Sequence, residues 1–437
     1  MIETEVAVRR SRPPALARTA LGLLPLQIVL RAGEALLPLG LAAFFGRTLE
    51  TDLYYVLAAY FVFVASVVAG AFQDSAVVPV LIEVAEGRPA LFPGVAGSLL
   101  GHTLAFGGSV ALGLGVFAAL VAGVVSPLHV LALELVLGMS LATFAASVRA
   151  FYVGLLNARG VFRAHPIGSG LGMGLTWIVL FMGRRALGVR VVPVAMLTGE
   201  VLAIVVLRAL TVRVLGLRLS PTLERSEPMR RILTLVRLEL TGSLITRVNP
   251  LIDQLMAGLG GVIGGGTLLR YASDVAALPT SLLQATLFPV LLTRLSHEAN
   301  RPPQLIATTR RTLVVVCAVL ALLAATTVLV RRPLCVLLFG RGAMDPAGVA
   351  RIASILPWAV AGSVPFGALL VLARAHVALQ NSRIMPSMGL INSVLNAVFN
   401  AALVGVLGLS GIALSTSLTY AAVAFVFWTR LRSRVRS

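Results

Sequence analysis

Ionisable side chains interrupt several long apolar stretches of this sequence. The first stretch holds Arg31 and Glu34, three residues apart, and a later one holds Arg270 and Asp274, four apart, so each pair shares a helical face. Arg247 lies in the preceding stretch. A guanidinium is a planar fork that can bind phosphate through two hydrogen bonds. The arginines therefore predict a cavity for an anionic group such as a diphosphate.

The same residues allow a structural interpretation. Arg31 with Glu34, and Arg270 with Asp274, are also spaced as neutralised intrahelical pairs that would only hold the helices in place. We keep both interpretations open for these pairs. Other isolated polar residues in apolar surroundings fit structural or interfacial roles better; these are His102, Glu134 and Glu200.

A row of amides near the C-terminus suggests a cation site. Asn392, Asn396 and Asn400 recur every four residues, which stacks them along one helical face. The next stretch offers Thr416, and Asp253 would supply a negative charge. Carboxylate, amide and hydroxyl oxygens suit a hard cation such as Na⁺. A seam of interhelical hydrogen bonds is the alternative, since Asn, Ser and Thr commonly form such seams in membranes.

The composition excludes a soluble globular protein. Of 437 residues, 58% are apolar and 12% are charged, and the mean hydropathy is +0.95. Soluble domains have roughly 45–50% apolar and about 25% charged residues. We therefore predict an all-α polytopic membrane protein. The 36 basic residues, all Arg, are scattered along the chain, which argues against a nucleic-acid partner.

About twelve transmembrane helices fit the apolar runs, because one span needs ~20 residues. A polar linker over 218–231 separates an N-terminal lobe, residues 1–217, from a C-terminal lobe, residues 232–437, with six spans each. An even number of spans gives both lobes the same orientation. This predicts a pseudo-twofold axis along the membrane normal and a central cavity between the lobes. The spans are expected near 19–45, 53–82, 94–122, 127–155, 167–183, 191–212, 235–260, 267–293, 312–330, 350–373, 384–406 and 410–429.

Arginine counts predict the orientation. With a cytoplasmic N-terminus, the inside segments hold 22 Arg and the outside segments hold 8. We therefore expect a multi-pass protein of the bacterial inner membrane with both termini in the cytoplasm. No loop is long enough to hold an enzyme site, and the sequence has no P-loop, metal-binding spacing or nucleophile elbow, which indicates that the protein is not an enzyme.

Three stretches resemble one family of membrane transporters. They are "LAAFFGRTLETDLYYVLAAY", the segment from Asn249 to Ser296, and "INSVLNAVFNAALVGVLGLSGIALSTSLTYA". They resemble the MurJ/MviN family of lipid II flippases, within the superfamily of multidrug, oligosaccharidyl-lipid and polysaccharide exporters. The resemblance implies two six-helix lobes around a cationic central cavity, and alternating access driven by membrane potential or Na⁺.

The resemblance also implies roles for particular residues. Arg31 corresponds to a cavity arginine of the family, and Asp52 corresponds to an acidic residue at the outer end of the first hairpin. Asp253, Asn396 and Asn400 correspond to proposed sodium ligands, so Na⁺ is the one cofactor implied, as a coupling ion.

The sequence departs from the family at three cavity positions. Leu37 and the apolar stretch around Ala65 stand where the family has arginines. A third expected arginine is replaced by Asp274, with Arg270 one turn earlier. These departures leave open whether the substrate is lipid II or a related polyprenyl-diphosphate-linked glycan, such as an exopolysaccharide precursor.

The resulting hypothesis is a flippase that moves a lipid-linked anionic glycan from the inner to the outer leaflet by alternating access. Its partners would be the glycan substrate, membrane lipids and enzymes of cell-wall or polysaccharide synthesis. Two alternatives remain. One is a cation-coupled small-molecule exporter of the same superfamily, which the low aromatic content of 6% disfavours. The other is a non-transporting cell-wall scaffold.

Overall fold

The computed structural model describes residues 13–70, 77–125, 128–246, 248–259, 262–298, 301–379 and 384–436. These ranges contain helices and coil and no strand. The α-helices in chain order are α1 Pro13–Phe45, α2 Leu49–Gly70, α3 Val77–Gly87, α4 Phe92–Val125, α5 His129–Ala158, α6 Ala164–Leu187, α7 Val191–Leu215, α8 Glu227–Thr246, α9 Asn249–Leu259, α10 Gly265–His297, α11 Pro302–Leu329, α12 Arg331–Phe339, α13 Pro346–Ala361, α14 Ser363–Ala378, α15 Ile384–Leu407 and α16 Leu409–Arg436.

The length and apolar character of these helices make the chain a multi-pass membrane protein. Seven stretches of the described residues are long and apolar enough to cross a bilayer. Helices suit this environment because each one satisfies its own backbone hydrogen bonds where water is missing. The all-α polytopic fold expected from the sequence is thereby confirmed. The helices follow the order of the twelve expected spans, but the number twelve stays a prediction.

Some of the expected spans contain two helices each, and two of these breaks coincide with proline in the described residues. The span expected at 235–260 is formed by α8 and α9, and Pro250 stands at the second residue of α9. The span expected at 350–373 is formed by α13 and α14, with Gly362 between them and Pro365 in the first turn of α14. Proline has no N–H for the preceding turn, and it disfavours helical geometry in the residue before it. The breaks therefore fall where the sequence cannot continue the helical hydrogen bonds.

The segment expected to link the two lobes is bound to α4. Helix α7 ends at Leu215, and α8 begins at Glu227, inside the stretch expected to be linker. The backbone N–H of Thr222 donates to the carbonyl of Gly97 at 3.2 Å. The hydroxyl of Ser98 donates to the carbonyl of Glu224. The linker is therefore a packed strap rather than a free tether.

Three buried apolar clusters hold the helices together, and two of them join the N-terminal helices α1–α7 to the helices that follow the linker. The first includes Tyr55 of α2, Tyr271 of α10 and Ile352 of α13. The second joins α3, α4 and α5 to the first turns of α8 through Met229. The third lies within α10, α11 and α14–α16. The two halves of the chain thus contact each other at more than one level.

Candidate functional site

Asp253 lies at the centre of a polar network that joins three helices. The amide nitrogens (Nδ2) of Asn396 and Asn400 on α15 both donate to Asp253 Oδ1, each at 2.7 Å. The hydroxyl of Thr416 on α16 donates to Asp253 Oδ2 at 2.9 Å. The side chains of Asn396 and Asn400 are fully buried. The structure therefore brings together all four residues that the sequence suggested for Na⁺.

The oxygen atoms of this network fit a hard cation once the two asparagine amides are turned over. In the structure the amide N–H groups face the carboxylate, and the amide oxygens of Asn396 and Asn400 face away from it. Asn400 Oδ1 accepts from Ser415, whose hydroxyl can equally accept from an amide nitrogen. Asn396 Oδ1 already accepts from the Thr416 hydroxyl at 3.5 Å. Turning both amides over would direct two carbonyl oxygens toward the Asp253 carboxylate. A Na⁺ ion would then be held by a carboxylate, two amide oxygens and a hydroxyl.

A cavity of about 400 Å³ lies beside this network. Its walls come from α9, α10, α13, α14 and α16, so it lies among the helices that follow the linker. Most of its polar groups are neutral amides and hydroxyls. Its polar lining includes Gln254, Ser273, Thr280, Ser281, Ser363, Thr416, Ser417 and Tyr420.

Arg270 and Asp274 face each other in this cavity. Arg270 Nε lies 3.0 Å from Asp274 Oδ1, and the two side chains are 39% and 30% exposed. The charged residues in the described lining are this pair and Asp253, which gives one net negative formal charge. Asp274 neutralises Arg270, and Asp253 adds a second carboxylate. This cavity lies on one side of the linker, so the cationic cavity between the lobes that the resemblance implies stays a prediction.

Arg31 and Glu34 lie elsewhere. Arg31 Nη1 donates to Glu34 Oε2 at 2.9 Å within α1, and the Arg31 side chain is 72% exposed. Glu34 lines a second cavity of about 100 Å³ formed by helices before the linker, together with Arg149 and Glu200. The described walls of the larger cavity therefore contain neither residue of the Arg31–Glu34 pair. Arg247 lies outside the described residues.

Asp52 connects the two halves of the chain. Its Oδ1 accepts hydrogen bonds from the backbone N–H of Thr267 at 2.8 Å and from the Thr267 hydroxyl at 2.9 Å. Thr267 lies in the first turn of α10, where backbone N–H groups have no helical partner and the helix dipole favours a negative charge. Asp52 thus caps a helix of the opposite half. It does not line the cavity.

Several ion pairs join residues that are far apart in sequence, and two of them are partly buried. Arg149 Nε donates to Glu200 Oε2 at 2.5 Å, and both side chains are about one-fifth exposed. Arg47 binds Asp345 across the two halves of the chain. Each pair is far apart in sequence, so spacing could not reveal it. Glu200, which looked isolated, is one of these partners.

A polar cavity among apolar membrane helices, bordered by a buried carboxylate network, is the arrangement expected of a membrane transporter. A sequence model of the family described as "Lipid II flippase MurJ" matches residues 41–437. The chain therefore belongs to the MurJ lipid II flippase family, which confirms the resemblance. The search of curated proteins gave no match.

Solved structures with the same fold come from two kinds of transporter. A lipid II flippase MurJ in an inward closed conformation matches with a TM-score of 0.74 and 15% identity, over 94% of this chain and 87% of that one. An inward-facing multidrug resistance MATE transporter gives 0.73 and 15%, over 92% and 94%. A Vibrio cholerae MATE transporter gives 0.64 and 12%, over 97% and 98%. At these identities the matches show the fold alone.

Proposed function

We propose that this protein moves the headgroup of a polyprenyl-diphosphate-linked glycan from the inner to the outer leaflet of the bacterial inner membrane. Membership of the lipid II flippase family supports this proposal. The headgroup would cross inside the protein while the isoprenoid tail stays in lipid. Both termini would lie in the cytoplasm, and enzymes that make or use the glycan would be the natural partners.

The polar cavity is the observation that carries the proposal. A charge at the bilayer centre costs ~2.5–3.5 kcal/mol on insertion scales, so buried polar groups are kept where they serve a pathway. Arg270 can exchange Asp274 for a diphosphate, because its planar fork matches phosphate oxygens as well as a carboxylate. The amides and hydroxyls around it can replace water on the sugar hydroxyls.

Alternating access requires contacts between the two halves of the chain that can separate first on one side of the membrane and then on the other. Near the end of α1, Arg47 binds Asp345, and Asp52 binds Thr267. At the end of α3, Arg88 donates to Glu227 at 2.8 Å. All are polar contacts between the N-terminal helices and the helices after the linker, and such contacts can be exchanged for water. Opening one set while keeping the other would expose the interior to one side at a time.

Na⁺ bound at Asp253 would supply the coupling. The ion would turn the amides of Asn396 and Asn400, and this movement would be transmitted to α15 and α16, which both contact Asp253 through side chains. The carboxylate would otherwise be held by amide N–H groups. Binding to the folded state would also stabilise the protein by RT ln(1 + [Na⁺]/Kd).

The test is flipping of fluorescent lipid II in vesicles that contain the purified protein. Arg270→Ala should slow flipping by roughly tenfold or more, because a charge-assisted hydrogen bond contributes about 1.5–3 kcal/mol. Arg294→Ala is the matched control, since Arg294 on α10 also forms an i,i+4 pair, with Glu298 just after the helix at 3.2 Å. Neither residue is part of the described cavity lining. Equal rates for both variants would remove Arg270 from the pathway. Arg31→Ala tests the exposed arginine of α1 in the same assay.

A small-molecule exporter is the second candidate, and the net negative cavity lining favours it, because such a lining attracts cations. Efflux of a fluorescent organic cation from the same vesicles distinguishes the two functions. Complementation of cells depleted of their own flippase gives a further test. Rescue supports glycan flipping, whereas failure at normal expression supports a scaffold or another substrate.

A further inference from the structure

Two buried amide oxygens near the break between α8 and α9 have no partner among the described residues. They are Oδ1 of Asn249 and Oδ1 of Asn392. Asn249 is the first residue of α9 and is 3% exposed, and Asn392 lies in α15. A buried carbonyl without a donor is destabilising, so each oxygen is expected to have a donor or a cation beside it at some stage.

The orientation of the Asn249 amide follows from the hydrogen bond that it forms with a described residue. Its Nδ2 donates to the backbone carbonyl of Asn392 at 3.5 Å. Turning the amide over would place its own carbonyl against that of Asn392, two acceptors facing each other. The side-chain oxygen is therefore the atom left free. Asn249 also lines the 400 Å³ cavity, so a small ion can approach this position from the cavity.

Asn249 and Asn392 continue the Asp253 network by one helical turn. Asn249 and Asp253 are four residues apart on α9, as Asn392 and Asn396 are on α15. Four residues correspond to about 6 Å of helix. The Asn249–Asn392 contact and the Asp253–Asn396 contact are thus successive steps along two helices that run in the same direction.

The helix break adds a second reason for a cation here. Helix α8 ends at Thr246, three residues before Asn249. The last carbonyls of a helix have no partner within it and lie at the negative end of the helix dipole. Interrupted membrane helices use such carbonyls to coordinate cations. Asn249, the first residue of α9, follows this end by three residues.

We propose that Asn249 and Asn392 form a second, weaker position for a monovalent cation, from which the ion passes to Asp253. The inference rests on the proposed Na⁺ coupling. Two such ions about 6 Å apart would repel each other and weaken the second binding event by roughly a hundredfold at an effective dielectric constant of ~20. The two positions are therefore occupied in turn, and one ion is bound per chain.

The test is equilibrium binding of radioactive sodium to the purified full chain. Wild type should bind one ion per chain. Asp253→Asn removes the carboxylate and should leave residual binding that is at least about tenfold weaker. Adding Asn249→Leu and Asn392→Leu, which preserve side-chain volume, should abolish the residual sodium binding. Gln284→Leu in the Asp253→Asn protein is the control, because Gln284 is an amide of the same cavity on α10.

A second variant tests the position by gain of binding. Asn392→Asp in the Asp253→Asn protein supplies a carboxylate one turn away and should tighten sodium binding about tenfold. If wild type binds no sodium, the coupling proposal itself is wrong. A different result would contradict the second position alone. In that case wild type binds sodium, Asp253→Asn removes all of this binding, and Asn392→Asp restores none of it. The Asp253 site would then be supported and the Asn249–Asn392 position would not exist.

Discussion

Arg47 and Asp345, 298 residues apart, join the two halves of the chain through a two-point ion pair. Arg47 Nε donates to Asp345 Oδ1 at 2.7 Å, and Arg47 Nη2 donates to Asp345 Oδ2 at 2.8 Å. Beside them the backbone N–H of Ala343 donates to the carbonyl of Ala43 at 2.8 Å. The turn between α1 and α2 is thereby fastened to the turn before α13.

Glycines allow these two turns to approach closely. Gly46 and Gly342 have φ of 63° and 70°, a conformation that other residues rarely adopt. A Cβ atom at Gly342 would clash with the backbone of Ala43. A Cβ atom at Gly46 would clash with the backbone of Ala343. The contact is therefore built from the backbone as well as from the ion pair.

The first prediction concerns this ion pair. Arg47→Ala or Asp345→Ala should raise the ratio of open to closed molecules at the Arg47–Asp345 contact by up to about fivefold. A partly exposed ion pair contributes at most about 1 kcal/mol. The measurement is disulfide formation between Ala43→Cys and Ala343→Cys, with Cys317 and Cys335 replaced by Ala. The two variants should lower the cross-linked fraction to a similar degree.

The other end provides the control for that measurement. Arg231 donates to Glu83 at 2.7 Å, joining α8 to α3. Arg231→Ala weakens closure at that opposite end, so it should leave the Ala43–Ala343 cross-link unchanged or increase it. A decrease as large as that caused by Arg47→Ala would show that the ion pairs act on overall stability and not on opening at one end.

The second prediction is the pH dependence of the same contact. The hydrogen bond from Arg47 holds the pKa of the Asp345 carboxyl below its ordinary value. A lowered carboxyl pKa contributes stability that is complete above about pH 4 and is lost as the pH falls through the lowered pKa. The difference in the open fraction between wild type and Asp345→Asn, read from the distance between nitroxide labels on Ala43→Cys and Ala343→Cys, should thus be constant from pH 7 to about 4. It should vanish at lower pH, and a constant difference down to pH 2 would contradict this origin.

The third prediction concerns the ion pair between Arg149 and Glu200. Glu200→Gln should lower the free energy of unfolding by about 3–5 kcal/mol, because it leaves a largely buried guanidinium without its counter-charge. The double variant Arg149→Met with Glu200→Met should be close to wild type. Thermal unfolding of the purified protein measures both.

An exposed ion pair serves as the control for this prediction. Arg190 and Glu134 form an ion pair in which each side chain is nearly half exposed. Arg190→Met should cost about 0–1 kcal/mol. If Glu200→Gln costs no more than Arg190→Met, water must reach the Arg149 guanidinium and replace the carboxylate.

The fourth prediction concerns the strap between the lobes. Gly101 of α4 faces Thr222, and a Cβ atom there would overlap the Thr222 backbone. Gly101→Ala should displace the strap at a cost of about 1–3 kcal/mol. Trypsin cleavage after Arg218 and Arg225 should accelerate by roughly tenfold or more. Gly94→Ala on the same helix meets nothing within 4 Å and should leave the cleavage rate unchanged.

The order of the helices and the faces they present follow from the sequence. Long apolar runs must be helical in lipid, because only a helix satisfies its own backbone there. The interval of four residues in Asn392, Asn396 and Asn400 placed the amides on one face before any contact was known. The spacing of Arg270 and Asp274 likewise allowed the pair that the structure contains.

Only the tertiary structure decided which faces meet. Asp253 reaches Asn396 across 143 residues, and Asp52 caps α10 across 215. Hydropathy and spacing act within one helix, whereas such contacts depend on how helices pack, which many distant side chains decide together. For the same reason, the sequence could not show that Arg31 lies away from the larger cavity. It also could not show that negative charges outnumber positive charges in the described lining of that cavity.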